Sequence, residues 1–191
     1  MPLPAGAHLD LLNAALAAEA RAQRAALGGY DGAEEFRAAS DLYRRSWELA
    51  PPESYGRLIG MLKAAVLAGD AADAAAYARV AVPATASSPP ARYAVAIAAL
   101  VERDLDTAAA SAAGMRAGSE AFQRAAAAIE AIAAGDADAY ATAVRAIVTD
   151  FEARSEHLTG VPIADTALML ERLAERRGIA AHPASPLLPA M

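Results

Sequence analysis

The sequence predicts an all-α protein of about nine helices that stack as antiparallel hairpins, and three observations support this class. Alanine supplies most of the 56% hydrophobic fraction, while aromatic residues make up only 5% of the chain. Because alanine is the strongest helix former and has a small side chain, this composition favours closely packed helices over a bulky sheet core. Strand-type runs of Val, Ile, Thr and aromatic residues are missing, and a helix–aspartate–helix pattern recurs at 67–78, 101–112 and 132–143.

Glycine, proline and capping residues divide the first half of the chain into four helices. Gly28 and Gly29 end the first helix, and Asp31 is placed to cap the second. The two prolines at 51–52 stop the second helix, because proline lacks the N–H that a helix interior needs. The third helix ends before Gly69. The four predicted helices cover about 8–27, 31–50, 53–68 and 70–82.

The second half begins with PATASSPP at 83–90, the most loop-like internal stretch and a candidate hinge between two halves. Ser119 is placed to cap the seventh helix, and Gly178 lies where a C′ residue would follow the ninth. The five predicted helices cover about 91–102, 104–116, 119–134, 136–157 (or 138–157) and 163–177. We therefore expect a hairpin stack over 1–161, and a C-terminal helix with a proline-rich tail over 162–191 that packs on the same domain.

The turn aspartates indicate a repeat. Asp31, Asp70, Asp104 and Asp136 are separated by 39, 34 and 32 residues. A period of about 34 residues with two helices per unit is typical of helical-hairpin solenoids. A single hairpin cannot hide its apolar face, so each pair stacks on the next.

The turns resemble those of tetratricopeptide repeats, in which a Gly-Asp corner is followed by an alanine four residues after the aspartate. Gly69-Asp70 with Ala74 fits this pattern, and Asp104 with Ala108 fits it without the glycine. Gly135-Asp136 fits the corner, but Tyr140 stands where the alanine belongs. The resemblance covers about residues 53–157 and lacks the family's Trp, Leu-Gly and Tyr signatures. It implies a tetratricopeptide-like solenoid, and the alternative is an irregular helical bundle whose turns recur by composition.

A fainter resemblance concerns the C-terminus. The stretch GVPIADTALMLERLAERRGIAAHPASPLLP is similar to the ends of some bacterial immunity proteins from polymorphic toxin systems. Those proteins also finish with a helix, an Arg-Gly corner and a short proline-ended tail. The resemblance covers about thirty residues and implies a role in neutralising a toxin.

Composition excludes several classes of function. A net charge of −6 disfavours nucleic acid, because DNA and RNA are polyanions. The absence of cysteine excludes disulfides, thiolate metal sites and cysteine nucleophiles. The N-terminus has no signal-like segment, and no charge-free run reaches membrane-spanning length without Pro or Gly. We therefore expect a cytoplasmic protein that does not bind a membrane.

Catalytic motifs are also missing. The histidines at 8, 157 and 182 lack the spacing of a metal site. The pairs Glu152–Glu156 and Glu171–Glu175 are interpreted as solvated helix faces with local ion pairs. No serine lies in a Gly-x-Ser-x-Gly elbow, and no glycine-rich phosphate loop occurs. The sequence predicts no enzymatic activity, no cofactor and no metal.

The best candidates for a functional surface lie on the first helix of each pair, which lines the concave side of a tetratricopeptide-like stack. This register places Lys63, Tyr93, Ile97 and Phe122 there, on a mostly apolar face. Because large exposed apolar patches are rare on monomers, we expect the C-terminal helix and Leu187-Leu188 to fill the groove. The alternative is that these residues are ordinary core and the register is shifted.

A second candidate surface is the stretch LYRRSWEL, where Trp47 lies close to Arg44 and Arg45. Trp and Arg dominate interface hot spots, although core packing explains the same residues.

The leading prediction is a non-catalytic protein–protein interaction or scaffold module, with toxin neutralisation as one form. The alternative is a helical domain that binds a small molecule. The expected partner is a protein, and a homodimer is one option.

Overall fold

The structure is a computed structural model that describes residues 6–189. Residues 1–5 and 190–191, where the predicted stack begins and the predicted tail ends, lie outside the described residues. The described part of the chain forms nine α-helices and no strand, which confirms the all-α class. The helices are α1 (Ala7–Leu27), α2 (Ala33–Leu49), α3 (Gly56–Ala68), α4 (Ala72–Ala81), α5 (Pro89–Glu102), α6 (Leu105–Met115), α7 (Glu120–Ala134), α8 (Ala137–Glu152) and α9 (Asp165–Glu175).

The first eight helices form four neighbouring pairs, and each pair packs on the next. Within the row, α2 packs on α3, α4 on α5 and α6 on α7. The first helices of three successive pairs also meet, because α3 contacts α5 and α5 contacts α7. This stacking buries the apolar face that each pair would otherwise expose. We call the surface shared by these three helices the α3/α5/α7 face.

Three corners share one backbone geometry. Helices α3, α5 and α7 each end at a residue in the left-handed region, with φ of 81°, 63° and 72°. In each corner the following aspartate N–H donates to the carbonyl five residues earlier, as in a Schellman motif. The residue in the left-handed conformation is a glycine in two of the corners and an arginine in the third. The left-handed residues are Gly69, Arg103 and Gly135.

The corner aspartates differ in what they do. The side chains of Asp104 and Asp136 accept hydrogen bonds from backbone N–H groups and cap α6 and α8. Asp70 makes no such bond, and Ala71 is the N-cap of α4. The expected start of the fourth helix at Asp70 is therefore wrong, although the chain reverses there as predicted.

Other predicted helix boundaries also differ from the structure by a few residues, and two of the differences have clear local reasons. Pro89 and Pro90 belong to the first turn of α5 instead of the preceding loop, because the first N–H groups of a helix need no partner within it. The eighth helix ends at Glu152 and not near 157. An irregular segment over 153–164 follows it and leads into α9.

Helix α9 lies against the stack and is held at both ends. It packs on α3, α7 and α8, beside the α3/α5/α7 face. At its start, the Lys63 ammonium of α3 forms an ion pair with Asp165 and donates to the Thr166 hydroxyl at 3.3 Å. Beyond its end, the Arg177 Nε donates to the Ile132 carbonyl of α7 at 3.3 Å.

The tail folds back over α9. The Glu171 carboxylate accepts backbone N–H bonds from Ala181 at 3.2 Å and His182 at 2.7 Å. The Leu187 carbonyl accepts the N–H of Ala164 at 2.9 Å. Glu171 is only 1% exposed, so its interpretation as part of a solvated face is wrong. It is a buried anchor, because a carboxylate is tolerated in the interior when hydrogen bonds satisfy it.

Tyr140, four residues after the corner aspartate Asp136, is fully buried. Burial raises the pKa of its hydroxyl, and the neighbouring Glu171 carboxylate raises it further. Helix α8, which carries this ring, packs on α9. Among residues 6–189 no helix has the length and apolarity needed to cross a membrane.

Gly60→Ala tests the close packing of α2 on α3. In an exposed helix interior this change stabilises by about 0.5–1 kcal/mol. Here a Cβ would lie 2.8 Å from the Tyr43 ring, which is buried. We therefore expect a loss of about 1–3 kcal/mol in the free energy of unfolding, measured by urea denaturation.

The matched control is Gly114→Ala in α6. Its Cβ would meet the flexible Arg92 side chain, at 3.1 Å, and that side chain can move. This variant should be neutral or slightly stabilising. Equal effects of the two substitutions would contradict the packing described for Tyr43.

Candidate functional site: the pocket beside the C-terminal helix

A pocket of about 280 Å³ lies where the α3/α5/α7 face meets α9. Its walls come from α3, α5, α7, the end of α8, the 153–164 segment and the start of α9. Because α8 ends at Glu152, the irregular 153–164 segment that follows it can line one side of the pocket. The pocket is partly open to solvent. Its apolar wall contains Ile59, Phe122, Ile147, Phe151, Val161 and Ile163.

Successive first helices place two of the aromatic side chains together. Tyr93 of α5 and Phe122 of α7 meet edge to face, with ring centroids 6.0 Å apart. This arrangement is favourable because the positive edge of one ring faces the negative face of the other. The pair fixes the shape of the wall between α5 and α7.

The inner end of the pocket carries the Lys63–Asp165 ion pair, and the side chain of each residue is 13% exposed. Desolvation alone would lower the pKa of Lys63, but the Asp165 carboxylate and the acidic groups of Tyr93 and Glu19 together more than offset this, so the pKa is raised. Lys63 is therefore an ammonium at neutral pH and a poor nucleophile. Burial raises the pKa of the neighbouring Tyr93 to about 12, so this hydroxyl is neutral.

A buried polar network lies behind the ion pair. The Tyr43 hydroxyl donates to Glu19 at 2.6 Å, and the Gln23 amide donates to the same carboxylate at 3.2 Å. The Thr159 hydroxyl then donates to the Gln23 side-chain oxygen, which ties the 153–164 segment to α1. Burial raises the pKa of Glu19, and the nearby Lys63 ammonium only partly opposes this.

Glu19→Gln is expected to stabilise the protein at neutral pH. A carboxyl group whose pKa is raised by folding favours the folded state fully below its unfolded pKa of about 4.5, and that contribution is lost as pH rises through the folded pKa. Glutamine mimics the protonated acid, and a turned Gln23 amide keeps the hydrogen bonds satisfied. The gain in melting temperature should be present at pH 7 and shrink as pH falls toward 4.5.

The matched control for this pH dependence is Glu156→Gln, because Glu156 is exposed. Its effect on the melting temperature should be small across the same range. The measured quantity is the difference in melting temperature between Glu19→Gln and the unchanged protein. If this difference is smaller at pH 7 than at pH 4.5, the carboxylate is not destabilised by burial.

Arginines flank the mouth of the pocket. Asp150 accepts from Nη2 of Arg124 at 2.6 Å, and from Nη2 and Nε of Arg154 at 2.5 and 3.1 Å. The Arg154 guanidinium also lies 3.8 Å from the centroid of the Phe151 ring. The stacking orients the Arg154 guanidinium, and the shared carboxylate orients both guanidinium groups.

The arrangement of the pocket is suited to holding a molecule. Among residues 6–189 no group of three His, Asp or Glu side chains could hold a metal ion. The pocket combines apolar walls with charged groups at its two ends, which is the composition typical of small-ligand sites.

The structure brings together three of the seven predicted surface residues, since Lys63, Tyr93 and Phe122 all line the pocket. Ile97 is fully buried and belongs to the core. The remaining three residues lie on α2, away from this pocket. These are Arg44, Arg45 and Trp47.

Sequence reasoning missed the mouth of the pocket and the counterion of Lys63. The spacing of Asp150 and Arg154 is that of an i, i+4 ion pair, so this signal was present in the sequence. Asp165 gives no comparable signal, because it lies 102 residues from Lys63.

Comparison with known proteins found no matching family model, no matching curated protein and no matching solved structure.

Proposed function

We propose that this chain is a non-catalytic helical module that binds a small amphiphilic molecule in the pocket beside α9. The observation that supports it is the pocket itself, whose volume of about 280 Å³ is close to the lower end of small-ligand sites. Apolar walls would remove the body of the ligand from water, and the charged groups at the ends would orient it.

The position of α9 favours a small ligand over a long peptide on this face. An extended groove along α3, α5 and α7 would suit a peptide, but α9 packs on α3 and α7. Its anchors at Asp165 and Arg177 lie at opposite ends of the helix. What remains accessible is the pocket at the start of α9.

Octan-1-ol and octanoate, titrated by calorimetry and observed by NMR, test the proposal. We expect saturable binding of at least one of them. Ala121→Trp should weaken it about tenfold or more, because the exposed Ala121 lines the pocket and an indole would fill it. Ala146→Trp is the control, since Ala146 is exposed on α8 outside this pocket.

Two results would refute ligand binding at this site. One is the absence of saturable binding by both compounds. The other is binding that Ala121→Trp leaves unchanged while the variant keeps its cooperative melting transition.

A second proposal is a protein partner, including a second copy of this chain, on the outer side of α2. Trp47 stacks on Tyr55 with ring centroids 5.5 Å apart, and the Arg44 guanidinium lies 3.9 Å from the Tyr77 ring centroid. Clustered Trp, Tyr and Arg side chains are typical of interface hot spots. Neutralising a toxin would be one form of this activity.

Sedimentation equilibrium tests the homodimer form of this second proposal. A concentration-dependent dimer that Arg44→Glu weakens would support it. A strictly monomeric chain at high concentration would leave only a foreign protein as the partner.

A further inference from the structure

We infer that the ligand of this pocket is an amphiphilic monoanion, such as an aliphatic carboxylate, with its charged group at the mouth and its apolar body inside. This inference rests on the proposed function and adds the charge and the orientation of the ligand.

The mouth carries a surplus of positive charge. Two guanidinium groups, those of Arg124 and Arg154, share the single Asp150 carboxylate. Arg124 has one further acidic contact, with Glu120 at 3.3 Å, but that side chain is 86% exposed and solvent weakens the interaction. The surplus is local, because the whole chain has a net charge of −6.

Donors remain free at the mouth. Among the described residues, neither Nη1 of Arg154 nor Nε of Arg124 makes a hydrogen bond, whereas their other nitrogen atoms do. Guanidinium N–H groups match the geometry of a carboxylate, and charge-assisted bonds of this kind are among the strongest in proteins. A ligand carboxylate could therefore bind here without displacing Asp150.

The inner end of the pocket disfavours a second negative group. The Lys63 ammonium is already paired with Asp165 and donates to Thr166. The Glu19 carboxyl group interacts electrostatically with both Lys63 and Asp165, and burial already raises its pKa. A further negative group close to Glu19 would therefore be unfavourable. The part of the ligand beyond the mouth is therefore expected to be apolar and to contact Phe122 and Ile59.

Three probes of equal chain length separate charge from apolar contact: octanoate, octan-1-ol and octylammonium. We expect octanoate to bind about tenfold or more tightly than octan-1-ol, which is the range for a hydrogen bond to a charged group. Octylammonium should bind weakest, because two guanidinium groups repel it.

Arg124→Gln and Arg154→Gln should each reduce octanoate affinity about fivefold or more while changing octan-1-ol affinity much less, because the alcohol carries no charge. Arg145→Gln is the matched control, because it removes the same charge from an exposed position of α8 outside the pocket. The affinity of each variant for octan-1-ol also shows whether the apolar part of the pocket is intact.

The outcomes distinguish this inference from the proposed function. Equal affinity for the three probes, or octanoate binding that both arginine substitutions leave unchanged, overturns the inference while the pocket remains a ligand site. Absence of saturable binding by all three probes overturns both. Tight octanoate binding that depends on both arginines and on Ala121 supports both.

Discussion

A chain that lacks residues 162–191 is expected to lose its cooperative thermal transition and to bind a hydrophobic dye. Four large side chains of α9 are at most 4% exposed, and truncating one such side chain costs about 2–5 kcal/mol. Their combined removal is therefore comparable with the whole stability of about 5–15 kcal/mol that is typical of a domain. The four are Leu168, Met169, Leu170 and Leu173. Calorimetry and dye fluorescence measure the two effects.

A synthetic peptide of residues 162–191, added to the shortened chain, provides the control. Partial recovery of the transition with rising peptide concentration would show that the loss comes from the exposed α3/α5/α7 face. An unchanged melting temperature of the shortened chain, with no dye binding, would contradict the packing of α9 on the stack.

Lys63→Met is expected to lower the free energy of unfolding by about 3–5 kcal/mol, because it leaves the Asp165 carboxylate buried without its counterion. Methionine keeps most of the apolar stem of lysine, so lost packing contributes little. Urea denaturation measures the change. The effect should be much larger than that of Arg44→Met, because the Arg44–Glu48 pair is about half exposed.

Restoring neutrality should reverse much of this loss. Lys63→Met together with Asp165→Asn is expected to be more stable than Lys63→Met alone. Asparagine keeps an oxygen that can accept the N–H of Thr166, as Asp165 does at 2.7 Å. A Lys63→Met variant with unchanged stability would mean that α9 does not hold Asp165 against α3.

Local chemistry explains why the corners of the fold could be predicted from the sequence. Gly69 and Gly135 adopt the left-handed conformation that glycine tolerates best, and an aspartate follows each of them. Arg103 was not a predictable corner residue on these grounds, since a non-glycine residue in this conformation is uncommon. The aspartate after it, Asp104, supplied the signal by capping the next helix.

The end of α8 shows where local reasoning fails. Helical propensity continues past Glu152, but Arg154 turns back to bond Asp150 and cover the Phe151 ring. The Thr159 hydroxyl then binds Gln23 of α1, a residue 136 positions away. Such contacts depend on the assembled stack, so propensity over one window of sequence cannot reveal them.

The buried acidic residues were unpredictable for the same reason. Glu19 and Glu171 lie on amphipathic helices among charged neighbours, where an exposed position is the usual outcome. Each is buried because a distant segment satisfies it, through Tyr43 for Glu19 and through the tail N–H groups for Glu171. The composition of the pocket therefore follows from tertiary packing, although three of its lining residues were predicted from the register of the first helices.

A double-mutant cycle between Lys63 and Asp165 tests most directly whether α9 lies against the stack. The free energies of unfolding of Lys63→Met, Asp165→Asn and the double variant are measured by urea denaturation. We predict a coupling energy of about 1–3 kcal/mol between these residues, which lie 102 positions apart. A coupling energy near zero, no larger than that of the exposed Arg44–Glu48 pair, would contradict the placement of α9 and the pocket that it forms.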